Sequence, residues 1–274
     1  MSAADDTPRP SEPDPDAAPA PAPAASLGGV VDRLGRIEQA LQHRGEDLAR
    51  QAGDLVVPVW RQVTEGEPRW PASLAIVAAV ALQVVLPTRL TFGGRYLLPA
   101  LELALLVGIV IANPLRINKR TIGLRAASIG LIAVTSIANA WAAGRLVHGI
   151  VTGQSASSPT TLLGTGASVW ITNVIVFALW YWELDQGGPA LRARGEAAYP
   201  DFLFAQMTDP KYTPPGWKPA FVDYLFVSFT NATAFSPTDT LPLARWAKLT
   251  MLAQSGISLV TVGLVVARAV NVLR

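Results

Sequence analysis

Phe221-Val222-Asp223-Tyr224-Leu225-Phe226-Val227-Ser228-Phe229-Thr230-Asn231-Ala232-Thr233-Ala234-Phe235-Ser236-Pro237-Thr238-Asp239 runs from aromatic-rich apolar residues into a polar turn, and a long apolar run, 249–273, follows it. The segment 221–235 has only just the length to cross a thin hydrocarbon layer. A backbone that turns at membrane depth must line a cavity or be buried in protein. The stretch 219–274 therefore reads as a pore-loop-like helical hairpin.

Outward from this hairpin, near-continuous runs of Ala, Leu, Val and Ile occupy 71–86, 97–112, 122–147 and 162–182. Each approaches the ~20 residues that a spanning helix needs, the first two being short. The fold class expected is all-α, a polytopic transmembrane helical bundle of five to six spans in the lipid bilayer. A complete crossing by 221–235 gives six, the preferred count, because Pro237 and Pro242 make a natural loop before Leu243; re-entry gives five.

Half of the 274 residues are apolar and 15% are charged, with a net charge of +2. The basic residues sit at helix ends and form no stripe, so no nucleic-acid partner is expected. The chain has no cysteine and two histidines, His43 and His148. That composition leaves no disulfide or thiolate chemistry and too few imidazoles for a usual metal site. No metalloprotease helix, phosphate-binding loop or nucleophile elbow occurs; neither enzyme activity nor a cofactor is expected.

Residues 1–26 alternate Pro with Ala, Asp and Glu, a composition expected to remain a disordered tail. They lack the basic and then apolar order of a cleaved signal. Over 27–66, Val30, Leu34, Ile37, Leu41, Arg44, Leu48, Gln51 and Leu55 share one helix stripe, with two polar interruptions. This is either a short coiled coil that assembles subunits or an amphipathic helix lying on the membrane or on the protein's own cytoplasmic face. Residues 70–185 then form a four-span bundle, and 186–218 a mixed-charge cytoplasmic loop.

Orientation follows from the short connections. Arg116, Lys119, Arg120 and Arg125 cluster after the second run without an acid, whereas 152–161 has no charge. By the positive-inside rule the amino terminus is cytoplasmic. The expected location is a bacterial plasma (inner) membrane, crossed several times.

Candidate pore-lining residues are Thr230, Asn231, Thr233 and Ser236, with Asp223 and Asp239 near opposite mouths. Glu183 and Asp185 are candidates for a vestibule that attracts cations, as carboxylate rings do in oligomeric channels. Asn139, Asn173, Asn231 and Gln254 also fit a second role, hydrogen-bonding one helix to another. Glu102 and Arg145 could pair near the outer surface.

From Asp223 to Asp239, followed by Arg245, the chain resembles an uncharacterised bacterial family of polytopic membrane proteins. That family has an aromatic-Ser-Phe start, a Thr-x-Phe core and a Ser/Thr-Asp end before its last helix. The same stretch is more remotely similar to the pore segment of two-helix potassium channels. The resemblance implies a pore helix holding Ser228 and Phe229, Thr233 near the start of a filter, an ion channel-like homo-oligomer and a monovalent cation as the passenger. Where the channel pattern has Gly-Tyr-Gly this chain has Ala234-Phe235-Ser236, so the glycine backbone of a potassium filter is not expected. The competing function is a non-conducting membrane scaffold or partner-binding protein.

Overall fold

The computed structural model describes residues 57–112, 116–117, 122–154, 158–209, 211, 213–233 and 240–273, with 35, 38–39, 41–42 and 44–45 nearer the amino terminus. Two units, Met1–Val56 and Val57–Arg274, are distinct. The described residues of the first are helical and exposed. The expected tail 1–26 and most of the seam over 27–66 lie outside the described residues, and 57–66 belongs to the second unit.

The second unit is built from α1 (Trp70–Val85), α2 (Leu97–Ala112), α3 (Ile122–Val151), α4 (Pro159–Leu184), α5 (Pro189–Arg194), α6 (Phe221–Ala232) and α7 (Arg245–Leu273). Three of them, α3, α4 and α7, are long and apolar enough to cross a membrane. At 16 residues each, α1 and α2 rise ~24 Å against a hydrocarbon core of ~30 Å.

Helix α4 is the centre, packed by α1, α3, α6 and α7. It starts where Ser158 Oγ accepts the Thr161 amide at 3.2 Å and Pro159 takes the first turn, the two commonest devices for opening a helix. It stops at Leu184 because Gln186, Gly187 and Gly188 take positive φ of 54°, 77° and 101° before Pro189 begins α5.

One end of the bundle is capped. Strand β1 (Glu67–Pro68) pairs with β2 (Arg116–Ile117), and β3 (Phe202–Phe204) with β4 (Thr240–Pro242), both antiparallel. The stretch 186–218, expected as a loop, is thus a folded cap. Its mixed charge concealed an apolar set: Phe202, Phe204 and Met207 are buried, and Trp217 stacks edge-on against Phe204 at 6.2 Å.

The cap also fixes the course of α6. The chain enters α6 beside the end of α4, where Tyr224 donates to Asp185. It then reaches β4, whose Thr240 lies opposite Phe204, and Asp201 O accepts the amides of Leu243 and Ala244 at 2.8 and 3.3 Å. Asp201 in turn accepts the Gln186 amide. Both flanks of α6 therefore lie at the capped end of α4, and its 12 residues rise ~18 Å between them. The expectation that 221–235 crosses completely turns on this course of the chain.

Gly195 closes α5 with φ 64°, and a Cβ there would lie 2.2 Å from the Arg61 carbonyl oxygen. Since the obstacle is backbone, no rotamer relieves it. Gly195→Ala is expected to cost about 2–3 kcal/mol, read as loss of monodisperse protein on heating in detergent.

Candidate functional site

Two polar networks occupy α4 and its neighbours. At the capped end Arg192 is almost wholly enclosed (1% exposed). Its Nε and Nη2 donate to Glu67 Oε1 at 3.0 and 2.6 Å, and its Nη1 to the carbonyls of Trp182 and Asp185 at 2.9 and 3.0 Å. The guanidinium also lies 5.0 Å from the Tyr224 ring centroid. Burial opposes its charge, and the carboxylates of Glu67 and Asp185 outweigh that, so its pKa lies above the ordinary arginine value.

Asp185 does not line a vestibule. It is fully buried, with Oδ1 accepting the amides of Asp201 and Phe202 at 3.0 and 3.2 Å and Oδ2 accepting Tyr224 Oη at 2.5 Å and Gln186 Nε2 at 3.2 Å. Glu183 is buried within the field of Arg125, Arg192 and Arg69. Both carboxylates were read as solvent-facing because the cap above them was read as a loop. Asp185 knits the end of α4 to α5, β3 and α6 instead.

Lys218 completes this layer, donating to the carbonyls of Trp60 and Arg192 at 2.9 and 2.8 Å. Burial, and then the charge of Arg192, lower its pKa to about 8. The folded state therefore releases this proton at a lower pH than the unfolded chain, whose lysine titrates near ~10.4. Stability gains from Lys218 as pH rises from about 8 towards that value, because the unfolded chain then binds more protons. Thermal unfolding across this range should show an upward slope that Lys218→Met reduces.

The second network sits further along the bundle, between α4, α6 and α7. The buried positions of α7, Ala247, Met251, Gln254, Ser258, Thr261, Val265 and Ala269, recur every three or four residues, so a seam of small and polar side chains faces α4. Gln254 is its hub. Its Oε1 accepts Tyr181 Oη at 2.7 Å and Asn231 Nδ2 at 2.8 Å, while its Nε2 donates to Ser228 O at 3.0 Å and Oγ at 2.6 Å. Ser228 Oγ donates on to Val174 O at 2.6 Å, Ser255 Oγ reaches Asn231 Oδ1 at 3.1 Å, and Asn173 Nδ2 reaches Ser258 Oγ at 3.1 Å. The seam was visible as Gln254-x3-Ser258-x2-Thr261, a polar helical period within an apolar run.

Of the expected pore-lining residues, Asn231 is spent in this network, also donating to Met251 O at 2.9 Å. Thr230 Oγ1 donates to the carbonyls of Phe226 and Val227, and Thr233 Oγ1 to those of Phe229 and Thr230, at 2.9–3.1 Å. Asp223 caps its own helix, accepting the Ala220 amide at 2.7 Å. Ser236 and Asp239 lie outside the described residues.

Depth follows from these bonds. Asn231, next to the end of α6, meets Met251, Gln254 and Ser255, six to ten residues beyond Arg245 at the start of α7. At 1.5 Å per residue, α6 stops ~9–15 Å from the start of α7.

Comparison with family models, curated proteins and solved structures finds no match to this chain.

Proposed function

We propose that this chain is a subunit of an oligomeric membrane pore that passes monovalent cations, with α6 as a re-entrant pore helix packed on α4 and α7. The observation that carries the reading is that the chain enters and leaves α6 at the same end of α4, which gives five spans. A half-helix ending within the membrane directs the negative pole of its dipole there and favours a cation. The hydroxyls of Thr230 and Thr233 donate into their own helix, so each oxygen offers only lone pairs outward. Thr233 forms the polar lining on this reading.

End pockets of about 20–100 Å³ border the described helices, and on this reading the path runs between copies of the chain. With the Arg/Lys-rich connection 113–125 on the cytoplasmic side, the capped end and the amino terminus face the cytoplasm of a bacterium. The test is flux through purified protein in liposomes under potassium, sodium and chloride gradients. Cation flux that Thr233→Val lowers, with folding intact, is the expected result. No cation flux from folded, inserted protein overturns the reading.

One observation favours a second reading. The Tyr181–Gln254–Asn231–Ser228 network closes upon itself, as it would in a non-conducting membrane scaffold. In that case Thr233→Val changes neither flux nor folding, and deletion of residues 30–55 releases a co-purifying partner.

A further inference from the structure

Glu102, in α2, is fully enclosed in the bundle. It faces Gln83 of α1, whose Nε2 lies 3.2 and 3.0 Å from its two carboxyl oxygens, and Thr135 of α3. No cation makes a hydrogen bond or ion pair to it among the described residues. Helix α1 carries no ionisable side chain after Trp70, and Glu102 is alone in α2. The ionisable groups towards that end are Arg89 and Arg95 on the connection before α2, Arg145 and His148 on α3, and Arg268 on α7. Arg145 turns its Nε to Arg89 O at 3.4 Å, so the Glu102–Arg145 pair expected from the sequence is not made.

The surroundings favour the neutral acid. Thr135 Oγ1 lies 3.0 Å from Leu131 O, and with its hydroxyl proton on that carbonyl it accepts towards Glu102. A carboxylate would bring a second acceptor to that contact, and only one amide would balance a full charge inside an apolar bundle. A carboxylic acid with its proton towards Thr135 Oγ1 would leave each of these groups a partner, since Gln83 Nε2 is within reach of both carboxyl oxygens.

Gln83 also borders a cavity of about 20 Å³ shared with Thr91, Arg95 and Pro99, a volume that admits one water molecule. The buried Arg95 Nε beside it has no hydrogen-bond partner among the described residues. A proton can therefore reach the Gln83–Glu102 pair from the end of the bundle opposite the cap.

We propose that Glu102 is a proton-binding site, held as the neutral acid between α1, α2 and α3 and served through the Arg95–Gln83 cavity. The site is independent of the α6 pore reading. A buried neutral acid is the species that a hydrophobic carbodiimide modifies. The acid proton passes to one carbodiimide nitrogen as the carboxyl oxygen bonds the central carbon, and the acyl group then shifts from oxygen to nitrogen. The resulting N-acylurea keeps every atom of both reactants.

The experiment uses the full-length protein in liposomes at pH 7. Infrared spectra of the native protein should contain a protonated-carboxyl carbonyl band that Glu102→Gln removes. Dicyclohexylcarbodiimide should leave its adduct on the Glu102 peptide of the native protein, located by mass spectrometry, so this arm does not depend on any variant folding. An adduct confined to other carboxyls, or a protonated-carboxyl band unchanged in folded Glu102→Gln protein, overturns the proposal.

Discussion

Arg192→Met is expected to destabilise the protein by about 3–5 kcal/mol, the cost of breaking a buried pair from one side. Methionine has similar reach and none of the donors. Glu67 Oε1 would lose two hydrogen bonds, and the carbonyls of Trp182 and Asp185 one each, at a site where water does not replace them. Because Arg192 joins the segment before α1 to the end of α4 and to α5, its loss should release the cap as a unit. Two residues on, Arg194 makes an exposed 3.8 Å pair with Glu196, and Arg194→Met should change stability by less than ~1 kcal/mol. Heating both variants in detergent and measuring the fraction that stays monodisperse reads the contrast.

Gln254→Leu should cost about 3–4 kcal/mol, although a leucine is ordinarily welcome in a membrane helix. Tyr181 Oη would lose its acceptor, Asn231 Nδ2 one of two acceptors, and Ser228 the donor that fixes it. Each buried group left unpaired costs about 1–3 kcal/mol, moderated inside bilayers where alternative partners are found. Ser255→Ala, which removes one donor to Asn231, should cost about 1 kcal/mol on the same scale. Limited proteolysis near residue 233 distinguishes detachment of α6 from general unfolding: in the Gln254 variant cleavage there should precede loss of the other helices.

The spanning helices were legible because their signal is local. Runs of Ala, Leu, Val and Ile mark them, and Ser158-Pro159 and Gly187-Gly188-Pro189 bound α4 at both ends. The cap was not legible, since its apolar residues are few and gain meaning only across distance. Phe202–Phe204 is three residues long and becomes a strand by pairing with Thr240–Pro242. The same pairing sets where the chain arrives after α6, which 221–235 alone left open.

The candidate site was legible in its residue types and less so in their roles. Asn231 and Gln254 stood out as amides in apolar surroundings, and both readings, polar lining and helix-to-helix bonding, were available. The structure gives them to bonding. Asp185 and Glu183 stood out as paired acids, but nothing local announced that Arg192, Tyr224 and the Asp201 amide would converge on Asp185. Glu102 was visible as an acid in an apolar run, while its partners Gln83 and Thr135 come from two other helices.

The central claim is that the chain goes into α6 and comes back. A protein without cysteine permits a direct measurement: single variants Pro215→Cys, Leu241→Cys and Gln154→Cys, all at exposed positions, labelled with a membrane-impermeant maleimide in vesicles of each orientation. The account predicts that Pro215→Cys and Leu241→Cys label from one side and Gln154→Cys from the other. Labelling of Leu241→Cys together with Gln154→Cys would mean that α6 crosses the membrane, and would contradict the account.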